Sequence, residues 1–420
     1  MSVTTSRSIL SEGNAAALAA LRTALGGDSS VSTRELDRMA LAVDASHYLH
    51  TPDAVMRAKS PTDVGVAMRV AAEMGWPLTF RGGGTSLSGQ ALSEGLTVDV
   101  RRHFRGMEIL DGGLRVRVQP GLTIAQVNGA LARHGRKLGP DPASSIACTI
   151  GGMIANNSSG MTCGTTANAY RTIDSMTIAL PSGTVVDTAS PQADDILRTH
   201  EPALVEVLER LRDTLRGDKY RADIERRYAI KNTMGYGVNS LLDYSTPVDI
   251  LQHLLIGSEG TLGFVASATY RTLPILKFVS TGLLVFDNLL DATRSVPELV
   301  ANHLATVELM DATSIRVAQR TGQAAEALAA IDVRDHAALL VEFQGNSEQE
   351  LTDLAASAAP MFDALPVVSP VTMTSKLSER NALWAARRGL YTTVAGNRPT
   401  GTNALLEDVV VPVDVLGTTC

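Results

Sequence analysis

A run of glycine and hydroxyl residues, Arg81-Gly82-Gly83-Gly84-Thr85-Ser86-Leu87-Ser88-Gly89-Gln90, follows the short apolar stretch Pro77-Leu78-Thr79-Phe80. Glycine turns the chain with positive φ and lets its backbone come close to another group. Successive backbone N–H groups can then converge on an anion, and phosphate is the expected guest. A triphosphatase loop would need Lys and then Ser or Thr after the last glycine. Gln90 stands there instead. A dinucleotide fingerprint would need G-x-G-x-x-G opening a helix. The spacing from Gly82 to Gly89 does not give that in a clear form. Two readings stay open on this loop alone: a metal-free pyrophosphate cradle made of amides and hydroxyls, and a glycine-rich surface turn. Arg81 reads either as an anion contact at the mouth of the loop or as a surface ion pair.

Two further clusters favour the cradle. They are Thr149-Ile150-Gly151-Gly152-Met153-Ile154-Ala155-Asn156-Asn157-Ser158-Ser159-Gly160 and Gly257-Ser258-Glu259-Gly260-Thr261-Leu262-Gly263. One such segment makes a turn; several of them suggest one extended ligand touched at separate places. Four more stretches belong with them: Asp44-Ala45-Ser46, Arg227-Tyr228-Ala229-Ile230-Lys231-Asn232-Thr233, Gly235-Tyr236-Gly237-Val238-Asn239 and Glu407-Asp408-Val409-Val410-Val411-Pro412. From about residue 40 onward the chain resembles the flavin-binding family of the vanillyl-alcohol oxidase type. Within that family it is similar to the D-lactate, glycolate and D-2-hydroxyglutarate dehydrogenases.

The resemblance implies an α+β chain: a helical segment over 1–50, a two-subdomain FAD-binding PCMH-type domain over 51–274, and a split-βαβ, ferredoxin-like substrate domain over 275–420 that is incomplete. It implies FAD as cofactor, held without a covalent bond, since 81–90 contains no His. Cofactor contact is expected along the first loop, at Arg81, Gly82, Gly83, Gly84, Thr85, Ser86, Leu87, Gly89 and Gln90. Around the second cluster it falls to Asp141, Thr149, Gly151, Gly152, Asn156, Asn157, Ser159, Gly160 and Thr165. Around the third it falls to Glu259, Gly263, Phe264 and Val265.

The implied reaction is hydride transfer to flavin N5 from the carbon bearing the hydroxyl of a D-2-hydroxy acid, D-lactate first. Electrons would pass on to a quinone, a cytochrome or an iron–sulfur protein. A carboxylate substrate calls for an arginine fork. Leu383-Trp384-Ala385-Ala386-Arg387-Arg388 is similar to the family's W-x-x-R, which makes Arg387 the carboxylate candidate, or else a solvated helix-face arginine. Leu406 stands where relatives of some specificities have Lys, which weighs against D-2-hydroxyglutarate. The family's general base and metal ligands lie in an H-x-G-D-G-N-x-H motif that does not occur in this sequence. None of His47, His50, His103, His134, His200, His253, His303 or His336 has that context. The expectation is therefore an impaired, truncated enzyme with no metal site. The alternative is a non-catalytic FAD-binding module that needs a partner chain.

Composition narrows the class. At 420 residues two domains are expected. A hydrophobic fraction of 45% and a charged fraction of 19% are ordinary for a globular protein. A net charge of −7 supplies no basic face for nucleic acid. No apolar run is long enough to span a membrane, and the first residues lack a secretory core, which reads as cytoplasmic or peripheral to a membrane. Cys148, Cys163 and Cys420 form no C-x-x-C and no iron–sulfur ligand set. Cys148 and Cys163 read as small buried fillers.

The elements that must position the clusters are legible. Ser60, Pro61 and Asp63 open a helix over 60–75 that Gly75 ends. A strand over 78–80 feeds the first loop. Alternation marks strands over 96–100 and 114–118. Thr123 and Gln126 form a capping box. A hairpin is expected about Pro181-Ser182-Gly183. A helix over 203–216 is expected to turn Leu204, Val207, Leu208, Leu211 and Leu215 inward. Beyond residue 274 strands and helices alternate, with a helix over 377–391 and a strand over 405–411.

Overall fold

The computed structural model describes residues 12–27, 30–160, 162–322, 326–385, 387, 396, 398–403 and 410–419. The chain forms two compact units, Met1–Pro274 and Ile275–Cys420. The first begins with the helix Glu12–Ala24 and a four-stranded sheet of β1 (Val31–Ser32), β2 (Ala54–Met56), β3 (Leu78–Arg81) and β4 (Leu96–Asp99), in the order β1-β2-β4-β3. β4 is parallel to both β2 and β3. The helix Pro61–Met74 links β2 to β3. Ser60 and Asp63 cap it reciprocally, and Gly75 at φ 61 closes it in the left-handed region. Its Val64, Ala67 and Met68 share a core with Met56, Leu96 and Val98. That packing fixes where β3 ends, and so where the first glycine loop starts.

A second sheet holds β5 (Met107–Leu110), β6 (Arg115–Val118), β8 (Ile173–Ala179), β9 (Val185–Asp187) and β10 (Phe264–Arg271), while β7 (Arg136–Lys137) pairs apart with β11 (Leu273–Pro274). The antiparallel order β5-β6-β10-β8-β9 puts β10 at the centre. β10 carries a register shift between Val265 and Ser267. Phe264 and Ala266 belong to the first core, whereas Ala268 and Tyr270 belong to a second, with Val116, Ile150 and Leu251. The Thr123–Gln126 capping box forms as its residues require. Gly183 turns the β8–β9 hairpin at φ 94.

The helix Pro202–Leu215 corrects one expectation. It buries Val205 and Leu208, while Val207 and Leu211 are 37% and 40% exposed. Apolar residues cover more than one stripe of this helix, so period alone could not choose the docking face.

The second unit is an antiparallel sheet of β12 (Phe278–Phe286), β13 (Thr306–Met310), β14 (Ala337–Gly345) and β15 (Met373–Thr374), ordered β13-β14-β12-β15. Leu339, Val341 and Phe343 on β14 form its core with the helices Leu289–Ala301 and Glu348–Ala364. A helix spans Leu377–Ala385. The rest of the expected 377–391 helix lies outside the described residues, apart from Arg387. So does the expected 405–411 strand, apart from Val410 and Val411. Among the described residues, no helix is long and apolar enough to cross a membrane.

His253, 3% exposed, stacks on Tyr244 at 3.8 Å, and its Nδ1 lies 2.8 Å from the Asp249 carbonyl. Burial holds its imidazole below the ordinary value, partly offset by that carbonyl and by Asp249. The unfolded chain binds the proton at about 6.5. Stability is therefore complete above that pH and is lost as pH falls below it, because the folded imidazole resists charging. Thermal midpoints should drop from pH 7 to pH 5, and the slope should flatten in His253→Phe. An unchanged slope in that variant removes His253 as a cause.

Candidate cofactor-binding site

The first loop leaves β3 at Arg81, which is 5% exposed. Its guanidinium turns under the loop: Nη2 donates to the Val43 carbonyl at 2.8 Å, and Nη1 to Leu41 and Ala91, each at 3.5 Å. Arg81 is thus buried rather than in a surface ion pair, with its Nη atoms on carbonyls and its Nε without a partner in the protein. It braces the loop from below, against carbonyls of a segment that the sequence does not mark as its partner. Gly84, at φ 68, lies against this guanidinium, and a Cβ there would collide with it. The Ala45 amide donates to the Gly84 carbonyl at 3.0 Å, which gives Asp44-Ala45-Ser46 its role. Ser86 Oγ accepts from the amides of Ser88 (3.2 Å) and Gln90 (3.3 Å) and lies against the Gln90 side chain, tightening the loop on itself. Thr85 and Leu87 are half-buried along it.

The three glycine segments interlock. A Cβ on Gly82 would meet Thr149 Oγ1, and one on Gly83 would meet the Ala147 carbonyl. The helix Ile150–Ala155 follows Thr149, with Ile150, Met153 and Ile154 buried. Gly151 abuts Pro120, and Gly152 is exposed. The third segment engages carbonyls at the end of this helix: Gly257 N–H reaches Ile154 at 2.9 Å, beside Asn157 N–H at 3.0 Å, and Glu259 N–H reaches Ala155 at 2.8 Å. Asn156 Nδ2 then donates to Glu259 Oε1 at 2.9 Å. Gly260 closes the circuit, since a Cβ there would stand 3.1 Å from the Phe80 ring on β3.

Backbone strain concentrates at this junction. Asn157 (φ 49) and Glu259 (φ 51) are non-glycine residues in the left-handed region, and they stand where the second and third segments meet. Burial raises the Glu259 carboxyl above its ordinary value, and the Asn156 bond works against that rise.

The site also holds polar atoms without partners. Thr149 Oγ1, Asn157 Oδ1 and Ser159 Oγ are buried and unbonded within the protein. Buried polar groups are nearly always satisfied, so Thr149 and Asn157 are candidates for contact with a ligand. Large apolar side chains stand exposed in the loops that adjoin them: Ile146 (83%), next to Ala147, and Met234 (85%), next to Gly235. Tyr236 OH lies 2.8 Å from Thr261 Oγ1, which ties the 234–236 stretch to the third segment. Sequence reasoning missed Ile146 and Met234. Their signal was a large apolar residue among small and polar neighbours, Ser144, Ser145 and Ala147 about Ile146, and Asn232, Thr233 and Gly235 about Met234.

Other expected contacts lie deeper or to one side. The Asp141 carboxylate accepts from the Thr162 amide at 3.0 Å, and its amide donates to the Ser159 carbonyl at 3.0 Å, so it shapes the approach to Gly160. Thr165 is exposed beyond it. The Phe264 ring is in the core, 5.0 Å from Phe80 and 5.2 Å from Phe104, which leaves only its backbone for contact. A Cβ on Gly263 would stand 3.1 Å from the Ala179 carbonyl, and Val265 is half-buried. Cys148 and Cys163 are free and buried, and burial pushes the Cys163 thiol up to about 11. Neither is a ready nucleophile at neutral pH. No cluster of His, Cys, Asp and Glu among the described residues is arranged to hold a metal.

These features suit a dinucleotide. Glycine backbone can offer amides to a pyrophosphate, hydroxyls such as that of Thr149 can donate to it, and exposed apolar side chains can cover a ring system. Each hydrogen bond to the charged group contributes roughly 1.5–3 kcal/mol.

Comparison with known proteins agrees. Residues 52–189 match the FAD binding domain family, and residues 275–420 match the C-terminal domain of FAD linked oxidases. The chain is 29% identical over 353 residues to the D-2-hydroxyglutarate dehydrogenase of Pantoea ananatis, covering 79% of this chain and 34% of that one. It is 24% identical over 370 residues to the D-lactate dehydrogenase of Anaerostipes hadrus, covering 86% and 66%. It thus spans about a third of the length of the first of these relatives. A solved alkyldihydroxyacetonephosphate synthase shares the fold at a TM-score of 0.60 and 14% identity, over 89% of this chain and 66% of that one.

Gly83→Ala should weaken FAD binding by at least about tenfold, because its methyl cannot pass the Ala147 carbonyl without parting the first two segments. Gly129→Ala, in a helix with open space around it, should leave binding unchanged. Titration of FAD fluorescence reads both, and equal affinity for wild type and Gly83→Ala would count against the interlock. With residues 52–189 and 275–420 matched and the glycine segments meeting at one place, the chain belongs to the FAD-linked oxidase family and has FAD as its cofactor.

Proposed function

We propose that the chain serves in the oxidation of a D-2-hydroxy acid, with D-lactate as the preferred substrate. The observation that carries this reading is Arg387, which holds the arginine position of W-x-x-R one turn after the buried Trp384. Its Nε donates to Glu308 Oε2 on β13 at 2.9 Å. That bond engages one edge of the guanidinium, and the Nη edge has the spacing that matches a carboxylate. The resemblance to relatives named for D-2-hydroxyglutarate and D-lactate supports a 2-hydroxy acid, and Leu406 in place of Lys favours a substrate with a single carboxylate. FAD, when bound, supplies the acceptor for the hydride.

The chain's own residues take the binding tasks. The glycine segments hold the cofactor, Arg387 holds the substrate carboxylate, and a base must take the hydroxyl proton. His253 is buried against Tyr244 and Tyr170, and His50 stands 3.0 Å from Glu94 on an exposed surface. Those two placements favour a second reading, in which the chain is an FAD-binding module whose base comes from another polypeptide. The electron acceptor proposed is a quinone, a cytochrome or an iron–sulfur protein.

D-Lactate added without oxygen to the FAD-loaded protein should bleach the visible flavin band. Bleaching that needs an added histidine-bearing partner selects the module reading. Failure of a whole panel of D-2-hydroxy acids with such a partner present ends the substrate proposal. Arg387→Ala should raise the half-saturating D-lactate concentration by roughly tenfold to a hundredfold, the range for losing one charge-assisted hydrogen bond.

A further inference from the structure

The helix Leu377–Ala385 has almost no apolar anchor. Trp384, 6% exposed, is the residue it buries, and Leu377 is 66% exposed. Polar contacts hold it instead. Trp384 Nε1 donates to Glu342 Oε1 at 2.6 Å, and Arg380 Nη2 lies 3.4 Å from the same oxygen. Thr281 Oγ1 on β12 also donates to it, at 2.6 Å, and accepts from Arg380 Nε at 3.0 Å. Gln344 Nε2 reaches the other carboxylate oxygen at 3.3 Å. Glu342 is 4% exposed and sits in the middle of β14, between Val341 and Phe343.

A buried carboxylate at the centre of a sheet is costly unless its oxygens are fully engaged, and an apolar residue would serve the sheet as well. Its placement is explained by what it holds. Arg380, Trp384 and Arg387 recur at i, i+4 and i+7, which is one stripe of a helix. The register of the sheet supplies the matching stripe. Thr306 pairs with Glu342 and Glu308 with Leu340, so Glu308 and Glu342 point to the same face from adjacent strands. The helical stripe lies on these two carboxylates: Arg380 and Trp384 on Glu342, and Arg387 on Glu308.

We propose that Glu342 and Glu308 are positioning residues that form a two-point mount for Arg387, Glu342 by fixing the direction of the helix and Glu308 by fixing the rotation of the guanidinium. Arg387 N–H, 3.1 Å from the Trp384 carbonyl, continues the helix into the turn, so the direction set at Trp384 reaches Arg387. An arginine held in this way meets a carboxylate with its fork already oriented, which reduces what binding must order. The inference rests on the reading of Arg387 as the carboxylate-binding group.

The test is calorimetric titration of the FAD-loaded full chain with oxalate, which has a carboxylate to bind and no hydride to give. Arg387→Ala should abolish binding. Glu308→Gln should weaken it about tenfold, with the thermal midpoint and FAD affinity unchanged. Glu342→Gln should weaken it as well, and in a Trp76→Phe background it should shift the emission of Trp384, whose indole N–H loses a charged acceptor. Oxalate affinity retained in both glutamate variants but lost in Arg387→Ala overturns the mount and spares the reading of Arg387. Affinity retained in Arg387→Ala overturns both. Weaker binding in Glu308→Gln accompanied by a matching fall in midpoint assigns that glutamate a merely structural role and also overturns the proposal.

Discussion

The constraint on which the first unit depends is the unfinished end of one short helix. Ile150–Ala155 ends in carbonyls that a distant segment engages: Gly257 N–H joins Asn157 N–H on the Ile154 carbonyl, and Glu259 N–H meets the Ala155 carbonyl. The bonds from Gly257 and Glu259 bring the second and third glycine segments together. The first segment joins them because Gly82 and Gly83 carry no side chain to hold it off Thr149 and Ala147. Backbone groups and absent side chains therefore build the cofactor site. A methyl at the wrong glycine would do more harm there than the loss of a hydroxyl.

The two units handle charge differently. In the first, the glycine segments offer amide dipoles and hydroxyls, while the buried guanidinium of Arg81 holds carbonyls through its Nη atoms. Burial and the neighbouring Arg101 pull that guanidinium below its ordinary value, while Asp44 and Asp99 push it back up. In the second unit, full charges are paired on a sheet face, Glu342 with Arg380 and Glu308 with Arg387. A cofactor retained through many turnovers suits the first arrangement.

Much of this could be read from residue types alone. The helix Pro61–Met74, the Thr123–Gln126 cap and the 78–81 strand announce themselves because their signals are local: a hydroxyl before a proline, a reciprocal pair at N-cap and N3, a glycine at the end. The glycine segments were legible because three of them implied one ligand. The direction of Arg81 was not, because its acceptors at Leu41, Val43 and Ala91 come from residues with no distinguishing side chain. The docking face of Pro202–Leu215 was hidden by a surplus of apolar residues. Glu342 left a trace, one acid in the apolar run Leu339-Leu340-Val341-Glu342-Phe343, but the partner that explains it lies beyond two further elements.

The central strand β10 begins where the third glycine segment ends. Phe264 and Ala266 insert into one core and Ala268 and Tyr270 into the other. A single stretch of main chain thus rivets both hydrophobic interiors of the first unit. The two interiors are thereby coupled, and strain in either is transmitted along β10 to the end of the third glycine segment.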